Sequence, residues 1–182
     1  MTGFRTLILP GWNNSGPEHW QTRWEHLYGY HRVQQHDWAY PLRGDWTARL
    51  QDEILDSDRP TVLVAHSLGC ILAAWWASHS PVAAQPGRIK AALLVAPADA
   101  ERPEAPHPLQ HWAPIAQSRL PFPALVVASS NDPYCSLPRA QHMAQHWGAP
   151  CYNAGDLGHI NDASGLGDWP EGHALLQHLL HP

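Results

Sequence analysis

A serine hydroxyl is a weak nucleophile at neutral pH; it needs a base to take its proton and an acid to hold that base. Ser67 is a candidate for such activation. It stands in Ala65-His66-Ser67-Leu68-Gly69, between an apolar run at 61–65 and a helical stretch at 68–77. A sharp strand-to-helix turn there lifts the hydroxyl above a sheet and aims a helix N-terminus at the reacting group. The positions two before and two after the nucleophile must be small, because neighbouring backbone passes close. The usual pattern is Gly-x-Ser-x-Gly, and Ala65 keeps the first of these positions small while adding a methyl. The competing role for Ser67 is a structural N-cap.

Chain order adds to this motif. In strand-turn-helix hydrolases the nucleophile is followed by the acid and then by the histidine. Asp132 lies in Ser129-Ser130-Asn131-Asp132-Pro133-Tyr134, just past an apolar run at 124–129. His159 lies in Gly155-Asp156-Leu157-Gly158-His159-Ile160-Asn161, past a shorter run at 150–153. Taken singly, Asp132 could be a turn residue before a proline and His159 a solvated loop histidine. All three in this order, each after a strand, point to acyl transfer. Asp99 is a rival acid because it follows the strand-like run at 90–96, whereas Asp156 and Asp162 are close to His159 in sequence for an orienting role. A tetrahedral intermediate needs two donors. The backbone N–H of Leu68 is one candidate. The other comes from Pro10-Gly11-Trp12-Asn13-Asn14, where Gly11 permits close approach, Trp12 is the first choice and Asn13 the second. Ser15 in the same loop reads equally as a helix cap.

These residues must be carried by a scaffold, and the hydropathy pattern supplies one. Strand-like runs at 6–9, 31–36, 61–65, 90–96, 124–129 and 150–153 alternate with helical stretches at 17–28, 46–55, 68–77, 137–147 and 169–180. Asp45 is a candidate cap for the second helix. Continuous apolar strands alternating with helices imply an α/β fold with a parallel sheet covered on both faces, and such sheets bind ligands beyond their carboxyl ends. The segment 97–123 holds seven of the eighteen prolines, with a short helix expected at 109–117. It reads as a rigid surface loop or a partial lid.

Composition narrows the class. The 182 residues fit one domain, 1–182. A net charge of −5 lacks the basic footprint of a nucleic-acid binder. The first apolar run is too short for a signal-peptide core or a membrane span. Three cysteines (Cys70, Cys135, Cys151) without zinc-ligand spacing point to a reducing cytoplasm. Among fourteen histidines, His142 and His146 come nearest to a metal pair, and without acidic or cysteine partners they read as surface residues. No metal or cofactor is implied, and no pattern dictates an oligomeric state.

Three segments carry a family resemblance: Leu9-Pro10-Gly11-Trp12-Asn13-Asn14-Ser15-Gly16-Pro17-Glu18-His19-Trp20, Val64-Ala65-His66-Ser67-Leu68-Gly69-Cys70, and Gly158-His159-Ile160-Asn161 continuing to Trp169-Pro170-Glu171-Gly172. With them the chain resembles, over essentially its whole length, the small bacterial serine hydrolases of the retinoblastoma-binding-protein-9-like (YdeN-like) family. That resemblance implies a minimal α/β-hydrolase: a doubly wound, six-stranded parallel sheet in the order 2-1-3-4-5-6, helices on both faces, and no large cap domain. It also implies a triad of Ser67, Asp132 and His159. The expected activity is hydrolysis of small carboxylic esters, with thioesters or amides open, through an acyl-enzyme on Ser67. Transfer to an acceptor other than water, or a binding role on a hydrolase fold, are the alternatives.

Overall fold

The computed structural model describes residues 3–181. Four runs of apolar residues form its central strands: β1 (Arg5–Leu9), β3 (Thr61–His66), β4 (Ile89–Val95) and β5 (Ala124–Ala128). Short strands β2 (His31–Arg32) and β6 (Cys151–Asn153) form the edges. All neighbours are parallel, in the order β2-β1-β3-β4-β5-β6. The strand side chains alternate between the two faces, as a period of two demands. Leu7, Leu9, Leu63, Leu94 and Val126 belong to one buried cluster with Trp46, Leu50 and Ile71. Ile8, Val62, Val64, Leu93 and Val127 belong to the other, with Trp20, Trp24 and Leu176.

The helices therefore divide between the faces. Helices α2 (Arg43–Leu55), α3 (Leu68–His79) and α5 (Leu137–Trp147) cover the first face, and α1 (Trp20–Tyr28) and α6 (Pro170–Leu180) the second. This is the doubly wound minimal α/β-hydrolase architecture. No helix among the described residues is long and apolar enough to cross a membrane.

Several boundaries differ from the sequence expectation for local reasons. Helix α1 starts at Trp20 rather than 17, because the His19 ring, not Ser15, accepts the N–H of Gln21 at its start. Ser15 instead donates to Gln21 Oε1 at 2.7 Å. Helix α2 begins three residues before Trp46, so Asp45 sits inside its first turn, where a carboxylate favours the positive helix end, and does not cap it. Strand β2 stops at Arg32; Val33 still donates to the Ile8 carbonyl before the chain leaves the sheet. The helix expected at 109–117 is a single turn, α4 (His107–Gln110). Its surrounding segment is nevertheless anchored. Trp112 is fully buried and donates its indole N–H to the Pro41 carbonyl at 2.8 Å, while Leu109, Ile115, Leu120 and Phe122 join the first core cluster. The part of this segment from Leu109 to Phe122 is thus packed into the core.

Candidate active site

Gly69 decides how tightly the strand-to-helix turn can be built. A Cβ there would lie 2.2 Å from the Leu9 carbonyl oxygen, inside any tolerable contact. Only glycine lets the first turn of α3 close on the end of β1. Ser67 is held at φ 55°, ψ −120°, a conformation L-residues rarely adopt. Its backbone is locked from both sides: its N–H donates to the Val95 carbonyl, and its own carbonyl accepts from Cys70. The side chain makes no capping bond to α3. The hydroxyl reaches His159 Nε2 instead, at 2.9 Å.

On the far side of that ring, His159 Nδ1 lies 3.0 and 2.9 Å from the two oxygens of Asp132, whose side chain is 2% exposed. The rival Asp99 does not touch His159. It accepts from Arg139 Nε at 3.3 Å and from the Glu101 N–H at 3.2 Å. Among the described residues, the Asp162 side chain bonds the neighbouring Ala163 N–H and not His159. Ser67, His159 and Asp132 thus form one continuous hydrogen-bonded row across three different loops.

The loop after β1 passes directly beneath Ser67. A Cβ on Gly11 would come within 2.8 Å of Ser67 Cβ and 3.3 Å of the Leu68 nitrogen, so Gly11 brings the Trp12 peptide against the turn at Ser67. Asn13 and Asn14 follow in left-handed conformations. The Asn13 N–H is occupied by the Trp38 carbonyl at 3.0 Å, which removes it as an oxyanion donor. The N–H groups of Trp12 and Leu68 have no acceptor among the described residues. Buried Arg32 clamps this loop, bonding Asn14 Oδ1 at 2.8 Å, the Ser15 carbonyl at 3.0 Å and both oxygens of Glu25.

Supporting residues that the sequence reading passed over tie the loops together. Gln21 is fully buried and donates from Nε2 to the carbonyls of Leu9 and Val64, joining the ends of β1 and β3. Asn131 Oδ1 accepts the Gly158 N–H at 2.7 Å, and Ser129 Oγ accepts the Leu157 N–H at 2.9 Å, so the loop bearing Asp132 holds the loop bearing His159. From the helical side, Trp20 Nε1 donates to the Ile160 carbonyl at 2.8 Å and Trp24 Nε1 to the Asp168 carbonyl at 2.7 Å. A periodic helix pattern shows that Trp20 and Trp24 face inward but not which distant carbonyls they meet.

A file of imidazoles runs behind the site. His19 packs edge-on against His66 (4.6 Å between ring centres), and His66 lies 4.9 Å from His159. His66 Nε2 is 2.9 Å from the His159 carbonyl. A carbonyl can only accept, so that nitrogen carries the proton. Burial, then the proximity of His19 and His159, holds His66 well below the usual imidazole range. Burial likewise pushes His19 down to about 4. Both rings are therefore neutral at pH 7.

A cavity of about 210 Å3 opens in front of Ser67 and His159, walled by Trp12, Tyr134, Pro106 and Leu109. It suits a small substrate. The Tyr134 ring stands edge-on to His159 at 4.6 Å. His142 and His146 lie far along the chain on exposed turns of α5, bonded to each other at 3.1 Å. No group of three or more His, Cys, Asp or Glu side chains able to hold a metal occurs among the described residues.

Comparison with known proteins agrees with this architecture. A family model described as serine hydrolase matches residues 6–178. The chain is similar to a protein described as a YdeN-like hydrolase from Pectobacterium atrosepticum, at 32% identity and TM-score 0.84, covering 97% of this chain and 90% of that one. It is similar in fold to the ydeN gene product of Bacillus subtilis (21% identity, TM-score 0.79, 99% and 100% covered). A protein described as a hydrolase from Agrobacterium vitis shares the fold at 12% identity and TM-score 0.76, with 100% and 90% covered. No curated protein matches.

Proposed function

The chain belongs to the serine hydrolase family, and we propose that it cleaves small carboxylic esters through an acyl-enzyme on Ser67. The observation that carries this reading is the unbroken row from Ser67 Oγ through His159 to Asp132.

In the proposed cycle His159 Nε2 takes the hydroxyl proton as Ser67 Oγ attacks the substrate carbonyl. Asp132, accepting from Nδ1–H, keeps the acceptor lone pair on Nε2 and stabilises the imidazolium that forms. The negative charge developing on the carbonyl oxygen is met by the N–H groups of Leu68 and Trp12, which lack any other partner among the described residues. The imidazolium then protonates the departing alkoxide, and the alcohol leaves. A water molecule, deprotonated by His159, attacks the acyl-enzyme; the carboxylic acid is released and the proton returns to Ser67. No residue of this cycle calls for a cofactor. Thioesters and small amides fit the same sequence of steps.

Trp12 and His159 come from opposite ends of the matched region, which supports reading 1–182 as one catalytic domain. All three cysteines are unpaired thiols, in keeping with the cytoplasmic setting proposed for it.

The test is covalent labelling by a fluorophosphonate, together with p-nitrophenyl acetate turnover. Wild-type protein is expected to label, and Ser67→Ala and His159→Ala to lose both signals. Asp132→Asn lowers turnover by about 10^4-fold, the loss typical when the imidazole is left in the wrong tautomer. Asp99→Asn keeps its labelling. Folded wild-type protein that resists the probe, or labelling that survives in Ser67→Ala, would refute the assignment.

A further inference from the structure

The cavity in front of Ser67 is bounded by two charged side chains besides the catalytic row, Asp99 and Arg102. Their situations differ. Asp99 is already engaged by Arg139 and by the Glu101 N–H. Arg139 in turn reaches Glu101, whose other oxygen accepts the Ile115 N–H, so that cluster satisfies itself behind the wall. Arg102 has no carboxylate within ion-pair distance among the described residues. Among the described residues its guanidinium has one acceptor, the Pro133 carbonyl, 3.1 Å from Nη1. The guanidinium lies over the Tyr134 ring at 5.2 Å, and Tyr134 packs against His159.

A guanidinium has five N–H donors in a rigid fork matched to a carboxylate, and here one is used. A planar cation within cation–π distance of an aromatic ring, at the wall of a small pocket and with most of its donors unspent, is suited to receive an anion. In a pocket of this size a few polar groups fix the ligand's orientation and the apolar wall supplies the rest.

We propose that Arg102 is a specificity-determining residue, and that the esters this protein hydrolyses bear a carboxylate on the part that fills the cavity. This rests on the hydrolase reading above and adds the substrate's charge. With about 210 Å3 available, the occupant is a short chain of the size of a glutarate or hydroxybutyrate unit.

The experiment uses two matched substrate pairs, so that either side of the scissile bond can carry the charge. Monomethyl glutarate is compared with methyl pentanoate, and 4-acetoxybutanoate with butyl acetate, by product quantification at pH 7.5. In at least one pair the anionic member is expected to have a kcat/KM at least tenfold higher, chiefly through KM. That ratio falls at least tenfold in Arg102→Gln and recovers in part in Arg102→Lys, which keeps the charge but not the fork. Fluorophosphonate labelling of each variant monitors the integrity of the nucleophile turn. Preference for the neutral member in both pairs, or a preference unchanged in Arg102→Gln, overturns the inference while leaving the hydrolase intact. Failure of the wild type to hydrolyse any of the four esters overturns both.

Discussion

Replacing His19 by Asn should flatten the acid limb of the stability curve by a calculable amount. His19 is 3% exposed, and its Nδ1 accepts the Gln21 N–H at 3.1 Å, which requires that nitrogen to be unprotonated. Burial lowers its pKa from 6.5 to about 4. The unfolded chain therefore takes up the proton near pH 6.5, and the folded protein does so only near pH 4. Between those values the unfolded state binds more protons, so stability rises with pH; it is complete above 6.5 and drains away as pH falls towards 4. At 1.36 kcal/mol per unit, His19 alone accounts for a loss of about 2.5 kcal/mol between pH 7.5 and 4.5. Asn retains an N-cap acceptor but does not titrate. Urea unfolding at the two pH values measures the effect. With a slope of about 2 kcal/mol per molar, the midpoint of the wild type should drop by about 1.3 M more than that of His19→Asn. His66, packed against His19, is held down first by its own burial, so it contributes to both proteins in the same direction. Equal midpoint drops would show that the ring is not held neutral by burial, and the reasoning would fail.

The two close approaches at the nucleophile turn make separable predictions. Gly69→Ala drives a methyl to 2.2 Å from the Leu9 carbonyl oxygen, a rigid backbone atom, and should cost about 3 kcal/mol or prevent folding, as read from the urea midpoint. Gly11→Ala meets Ser67 Cβ at the looser 2.8 Å; the protein should fold, but its fluorophosphonate labelling should slow by about 100-fold as the donor loop shifts. The thiols should be inert in the native state: burial pushes Cys70 well up, Cys135 to about 12 and Cys151 upward as well. Ellman's reagent at pH 8 should therefore report less than one fast thiol in native protein and three after denaturation; rapid reaction of Cys70 in native protein would contradict its burial.

Much of this architecture was legible because its causes are local. The strands β3 and β5 announce themselves as short, largely apolar runs, and Ser67 and Asp132 stand just past them; His159 follows the shorter β6. Where the reading went astray, the deciding contact was remote or unusual. Histidine is not among the preferred N-caps, so neither the start of α1 at Trp20 nor the cap at His19 is visible in residue type. The end of β2 depends on where β1 runs out of carbonyls, which periodicity does not report. Gln21 is polar, yet it is buried because two strand-end carbonyls, 12 and 43 positions away, take its donors. Arg102 carries no local signal: its place in the cavity wall follows from the course of residues 97–123, which hydropathy leaves open.

The two indole bonds from α1 to the loop after β6 have a consequence for synthesis. The chain is made from its N-terminus, so Trp20 and Trp24 are in place long before their acceptors, the carbonyls of Ile160 and Asp168, exist. The loop that presents His159 gains its last two indole anchors when residues some 140 positions apart meet. A growing chain would thus hold Ser67, Asp132 and a nearly finished sheet without a positioned base. The proposed chemistry would be withheld until the segment that closes onto α1 has been translated.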